Sequence, residues 1–173
     1  MALDFLKRIF NPNNVTIALD DIQALILRSR PVPYYGTVAV FEINDATQAK
    51  LILKELLPII TSAKDWHKNE GASVTLTFTY KGLEKIGLPK DSLDSFPEAF
   101  REGMAKRAPF LNDVGVNDPK YLEKDFKNAT IHIAAAVIAN SEEHWKTKLQ
   151  EFRAKFSNNK EAISLKNDEF AKK

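Results

Sequence analysis

Cysteine is absent from the chain, which removes disulfides, thiolate metal sites and thiol nucleophiles at once. No stretch of about 18 apolar residues occurs, so no transmembrane helix is expected. The opening residues, MALDFLKRIFNPNN, hold an apolar run too short for a secretory signal, and Asp4, Lys7 and Arg8 interrupt it. A soluble, cytoplasmic protein with no membrane partner is the expectation. An excess of one charge is also missing, since 25 Lys and Arg meet 23 Asp and Glu and leave +2. A dedicated polyanion binder gathers a basic excess on one face, so no nucleic-acid partner is expected. Histidine is scarce, and His67, His132 and His144 fall at no spacing that gathers three metal ligands, so no metal site is expected. Ser-His-Asp sets and Gly-rich phosphate loops are missing as well.

What is present suits one globular core: 44% apolar and 28% charged residues spread over 173 positions. Val74, Leu76 and Phe78 alternate with Ser73, Thr75, Thr77 and Thr79, the period of a half-buried strand. TVAVFEI (37–43) and ATIHIAAAVIAN (129–140) are more continuously apolar, as in strands covered on both faces. AISL (162–165) reads as a further strand, and IQALIL (22–27) as an edge strand ended by the turn residues RSRPVPYYG. Asp45 and Gln48 form a capping box ahead of a helix whose stripe is Ala49, Ile52, Leu53, Leu56 and Ile60, which Pro58 should end. Ser141 caps another, with Glu142 and Glu143 in the first turn and Trp145, Leu149, Phe152 and Phe156 as its buried stripe. The order is βαββαβ, so the predicted fold class is α+β: a ferredoxin-like antiparallel sheet.

A long helical insertion, residues 80–128, joins the second and third strands where a short hairpin would suffice. Within it SFPEAFREGMAKRAPFLND (95–113) carries a second capping box, Ser95 with Glu98, and Pro97 in the first turn. Phe96, Phe100 and Met104 recur every four residues, continued by Ala108 and Leu111. Gly103 beside that stripe costs about 1 kcal/mol of helix propensity, which suggests a close approach of backbone or ligand there. Asp118-Pro119 is an N-cap followed by a first-turn proline, so YLEKDF is expected to start one more short helix.

DIQALILR (21–28), LLPIITSAKDW (56–66), TFTYKGLEKIGLP (77–89) and SFPEAFREGMAKRAPFLND together resemble the N-terminal half of dye-decolourising (DyP-type) haem peroxidases. The likeness covers roughly residues 20–166, in the family's order and at about its spacing. It implies haem-dependent peroxide chemistry in a complete enzyme, with haem held mainly by a second ferredoxin-like domain. The family's Gly-x-x-Asp-Gly loop has no counterpart, because none of the six glycines has another four residues away. The chain therefore reads as an N-terminal arm (1–19) and a DyP-like first domain (20–173) without the haem-ligating second domain, a truncated or split subunit. No catalytic residue is assigned, haem is expected not to bind this chain alone, and whether the chain is itself an enzyme stays open. The alternative is a non-catalytic ferredoxin-like interaction module that dimerises or docks a partner.

Ile131, Ile133, Ala135 and Val137 point to one side of their strand, and His132, Ala134, Ala136 and Ile138 to the other. Both sides are largely apolar, whereas the helices of one such unit cover only one. A homo-oligomer, or a second polypeptide on the uncovered face, is therefore expected, unless the insertion folds back as a lid. The interface candidates are Phe96, Phe100, Gly103, Met104, Arg107 and His132. Arg107 is also a candidate fork donor to a haem propionate or an acidic partner, while Arg101, Lys106 and Arg107 otherwise make a solvated face with a Glu102–Lys106 pair. Arg28 and Arg30 beside Tyr34 and Tyr35 suit an anion or a stacked base, or simply a surface turn. An RNA-recognition module shares the βαββαβ order but stacks bases on strand aromatics, and IHIAAAVIAN has none.

Overall fold

The computed structural model describes residues 17–30, 32–65, 71–157 and 161–166. Its element order is α1 (Ala24–Leu27), β1 (Tyr35–Ile43), α2 (Ala46–Leu56), β2 (Ala72–Phe78), α3 (Tyr80–Lys85), α4 (Lys90–Asp94), α5 (Glu98–Leu111), α6 (Lys124–Lys127), β3 (Ile133–Ala139), α7 (Glu142–Ser157) and β4 (Ile163–Leu165), with short 3-10 turns between. The Asp45 carboxylate accepts the Thr47 and Gln48 amides at 2.8 and 3.0 Å and so starts α2. Pro58 converts its end to a 3-10 turn over Leu57–Ile59. Ser141 Oγ accepts the His144 amide at 3.2 Å and starts α7.

The strands lie in the order β2-β3-β1-β4, each antiparallel to its neighbour, which is the ferredoxin-like arrangement. Register places Thr37, Val137 and Val74 in one row and Val38, Ala136 and Thr75 in the next. The first row faces α2 and α7, where Phe41, Ile43, Ile133, Val137 and Val74 pack with Ile52, Leu56, Leu149 and Phe152. Ile52, Leu56, Ile133 and Phe152 are 2% exposed or less. Burial of each such side chain contributes about 1.5–3 kcal/mol. Trp145 is buried with its indole N–H donating to Thr37 Oγ1 at 3.0 Å, so its polar edge is satisfied inside the core. The side chain of Phe156, the fourth member of the expected stripe, lies outside the described residues, as do residues 1–16 of the expected arm.

Residues 22–27 are not the edge strand that their apolar run suggested. Gln23 makes one isolated bridge to Ser62, and Ala24–Leu27 then forms a single helical turn. Side chains supply the pairing that a strand would have given. Gln23 Nε2 donates to the Leu76 carbonyl at 2.8 Å while its Oε1 accepts the Leu76 amide at 2.8 Å. One step along β2, Thr61 Oγ1 accepts the Val74 amide at 3.1 Å and the Thr61 amide donates to the Val74 carbonyl at 3.0 Å. With the edge satisfied by these groups, no extended backbone is required at 24–27.

The insertion begins where Thr79 Oγ1 caps α3 by accepting the Gly82 amide at 3.0 Å. The second capping box does not form: Ser95 closes α4 in helical conformation, and its hydroxyl donates to the Ser92 carbonyl at 2.7 Å. An N-cap needs extended backbone, so that role passes to Pro97. Asp118 accepts the Lys120 amide at 2.9 Å as its sequence suggested, but the turn it opens is a 3-10 turn, Pro119–Tyr121, and α6 follows separately. The return to the sheet is pinned by Lys166 Nζ, 2.7 Å from Glu42 and 3.4 Å from Asp125.

Candidate functional site

The second face of the sheet is built from Gly36, Val38 and Val40 of β1, Ala134, Ala136 and Ile138 of β3, and Ser73, Thr75 and Thr77 of β2. It is not open throughout: Val40 is 7% exposed, and α3 of the insertion lies beside β1 and β2. The chain around Gln23–Arg30 lies over the β2 side and leaves Ser73 at 1%, Thr75 at 9% and Ile138 at 8% exposure. Toward the middle, cover ends: Val38 is 43% exposed, Ala134 and Ala136 are half-buried, and Thr77 is exposed. Between the covering segment and the strands runs a groove of about 560 Å³. Small residues dominate the uncovered strip, so another backbone or sheet can approach closely.

The expected lid stripe meets a different surface. Phe96 and Phe100 pack at 5.1 Å, and Phe100 stands edge-on to Tyr80 of α3 at 6.2 Å. Gly103 then breaks α5 with φ 73° and ψ 172°, so Met104 leaves the stripe and is 71% exposed. No close approach occurs at Gly103: a Cβ there would meet nothing within 4 Å, and the backbone conformation alone accounts for the glycine. The close approach lies instead at Gly82, where a Cβ would stand 2.1 Å from the His132 carbonyl oxygen. The threonine three residues before it, whose hydroxyl holds the glycine amide, was the available signal. Beyond the Gly103 bend Arg107 stacks over Phe110 at 5.2 Å, and Lys106 pairs with Glu102 at 2.8 Å. The interface candidates thus divide: Phe96 and Phe100 packed toward α3, Gly103 at the bend, Met104 and Arg107 past it, and His132 at the sheet.

His132 is half-buried and its Nδ1 accepts the Ile43 amide at 2.9 Å. Burial pushes its pKa below the usual value, against the opposing pull of Glu42 and with the help of Lys85. The folded protein therefore holds this ring neutral at pH values where the unfolded chain already binds a proton. Stability contributed here is complete above pH about 6.5 and falls as pH drops through the lowered folded pKa. Asparagine at position 132 offers an oxygen in the place of Nδ1 without a titration. His132→Asn should flatten the fall in melting temperature between pH 7 and 5, and an unchanged pH profile would show that another group carries it.

Haem iron takes an axial ligand such as a histidine nitrogen. His132 spends Nδ1 on the backbone, and His144 holds its Nδ1 3.1 Å from Asn140 Oδ1. The groove is lined by no histidine or methionine, and among the described residues no group of three His, Asp or Glu side chains is placed to hold a metal. His67 lies outside the described residues. No helix among the described residues is long and apolar enough to cross a membrane.

A four-stranded sheet in this order, with two helices on one face and a small-residue strip left on the other, defines a ferredoxin-like α+β domain. The family described as the DyP dimeric alpha+beta barrel domain matches residues 21–167, and the chain belongs to that family. No curated protein sequence matches it. An ancestral D-type dye decolorizing peroxidase is 29% identical with a TM-score of 0.74, covering 87% of this chain and 34% of that one. A DyP crystal structure shares 24% identity at a TM-score of 0.71, over 88% of this chain and 32% of that one. The decolorizing peroxidase of Auricularia auricula-judae shares 18% at 0.69, over 87% of this chain and 32% of that one. The chain thus spans about a third of the length of these peroxidase structures.

Proposed function

We propose that this chain is the non-catalytic, sheet-pairing part of a DyP-type peroxidase assembly. The observation that carries this reading is the half-covered second face, where Val38, Ala134 and Ala136 offer small apolar surface beside a fully packed first face. A second sheet laid on that strip, from another copy or from a haem-bearing domain, would bury it as sheet-on-sheet packing does. Haem and its ligands would come with the second domain, which would supply the peroxide chemistry. This chain's residues would supply the shape of the interface. The alternative is a simpler module that dimerises without haem, and the same measurements separate the two.

Light scattering of the purified chain should show concentration-dependent association. Ala134→Glu, which places a carboxylate in the strip, should weaken that association at least tenfold with the circular dichroism unchanged, a change worth about 1.4 kcal/mol. Added haem and peroxide should give no dye turnover that survives removal of free haem. A chain that stays monomeric at high concentration and binds no hydrophobic dye would overturn the pairing face. Sustained turnover by the isolated chain would overturn the division of labour.

A further inference from the structure

We propose that the groove between the Leu25–Arg30 segment and the second face is a binding site for a small apolar carboxylate, with Arg28 holding the carboxylate. Its volume of about 560 Å³ falls in the range of small-molecule sites. Gly36, Val38, Ala136 and Ile138 make an apolar floor, while Arg28, Ser29, Arg30 and Tyr34 make the rim. No Asp or Glu lines it, so two guanidinium groups border the groove with no acid inside it.

The two arginines differ in what they already hold. Arg30 lies over the Tyr34 ring at 5.6 Å. Arg28 has Nη2 on the Ala63 carbonyl at a long 3.3 Å, and its Nε is buried with no partner. A guanidinium is a five-donor fork that fits a carboxylate through two parallel bonds, and one long bond to Ala63 leaves the Arg28 terminal nitrogens with donors for an acceptor. One fork donor above an apolar floor matches a monoanion with an apolar tail. A phosphate dianion would leave the apolar floor uncovered, whereas a monoanion with a tail covers it.

The inference goes beyond sheet pairing and does not rest on it: pairing would cover Val38 and Ala136 of the groove, and Ala134→Glu, at a residue outside the groove, leaves them open. Decanoate titrated into the full chain as Ala134→Glu should bind with amide shifts centred on Gly36, Val38, Ala136 and Ile138, and should bind the associating wild type more weakly. Decanol should bind at least tenfold more weakly. Arg28→Gln should lose at least tenfold in affinity. Gly36→Leu keeps Arg28 and fills the groove; the nearest atoms to an added Cβ there are Ile138 and Tyr34 side-chain carbons at 3.6 Å, an ordinary contact, and binding should be lost. Decanol equal to decanoate, inorganic phosphate as tight as decanoate, full affinity in either variant, or shifts elsewhere on the protein would each overturn the site.

Discussion

Alanine at position 82 will lower the melting temperature by roughly 5 °C, although Ala is the better helix former by about 1 kcal/mol. Gly82 is buried in α3, and its added Cβ would lie 2.1 Å from the His132 carbonyl oxygen and 2.8 Å from the carbonyl carbon. Both are backbone atoms, and the same carbonyl accepts the Thr79 amide at 3.0 Å, so neither side can yield without loosening the α3–β3 junction. Overpacking of this kind costs about 1–3 kcal/mol and occasionally more, which outweighs the propensity gain and sets the sign. Gly103→Ala makes the contrast. Its surroundings are open and its cost is backbone strain at φ 73°, which α5 can relieve by straightening, so a drop of less than half that of Gly82→Ala is expected. Thermal unfolding of the two variants side by side decides this; equal losses would mean that α3 moves freely over β3.

The elements that were legible before the structure are those whose signal is local. Asp45 and Ser141 announce helices through their own hydroxyl or carboxylate, and Pro58 ends one through its missing N–H. The alternation at 73–78 placed β2, but both Ser73 and Thr75 are buried, because a non-local segment covers them. Gly103 and Gly82 show the limit most plainly. Both are glycines within helical patterns, and sequence spacing cannot tell a glycine kept for its φ from one kept for a neighbour fifty positions away. The face expected to be open was read from strand alternation, and its partial cover comes from the 22–30 segment, whose apolar residues fit a strand as well as a single helical turn.

Leucine in place of Gln23 will cost about 3 kcal/mol, a loss of roughly 10 °C, through two backbone groups that Gln23 never shares a strand with. Its amide matches the Leu76 peptide unit in both directions at 2.8 Å, and Leu76 is 7% exposed, so the variant leaves a buried N–H and a buried C=O without partners. Each such orphan costs about 1–3 kcal/mol. Gln23→Glu should be at least as damaging, since one carboxylate oxygen still accepts the Leu76 amide while the other faces the Leu76 carbonyl with no proton to give. Amide exchange at Leu76 reads the effect directly, and protection equal to wild type in Gln23→Leu would show that another group closes this edge. The clamp also bears on how the protein associates. An edge strand with free N–H and C=O groups recruits other edges. Gln23 and Thr61 close the β2 edge at Leu76 and Val74, which leaves the small-residue strip of Val38, Ala134 and Ala136 as the surface for pairing. Opening the edge should therefore convert the discrete association of the wild type into larger, Ala134→Glu-insensitive aggregates, whereas Gln23→Leu particles that still dissociate on Ala134→Glu substitution would mean that the edge plays no part.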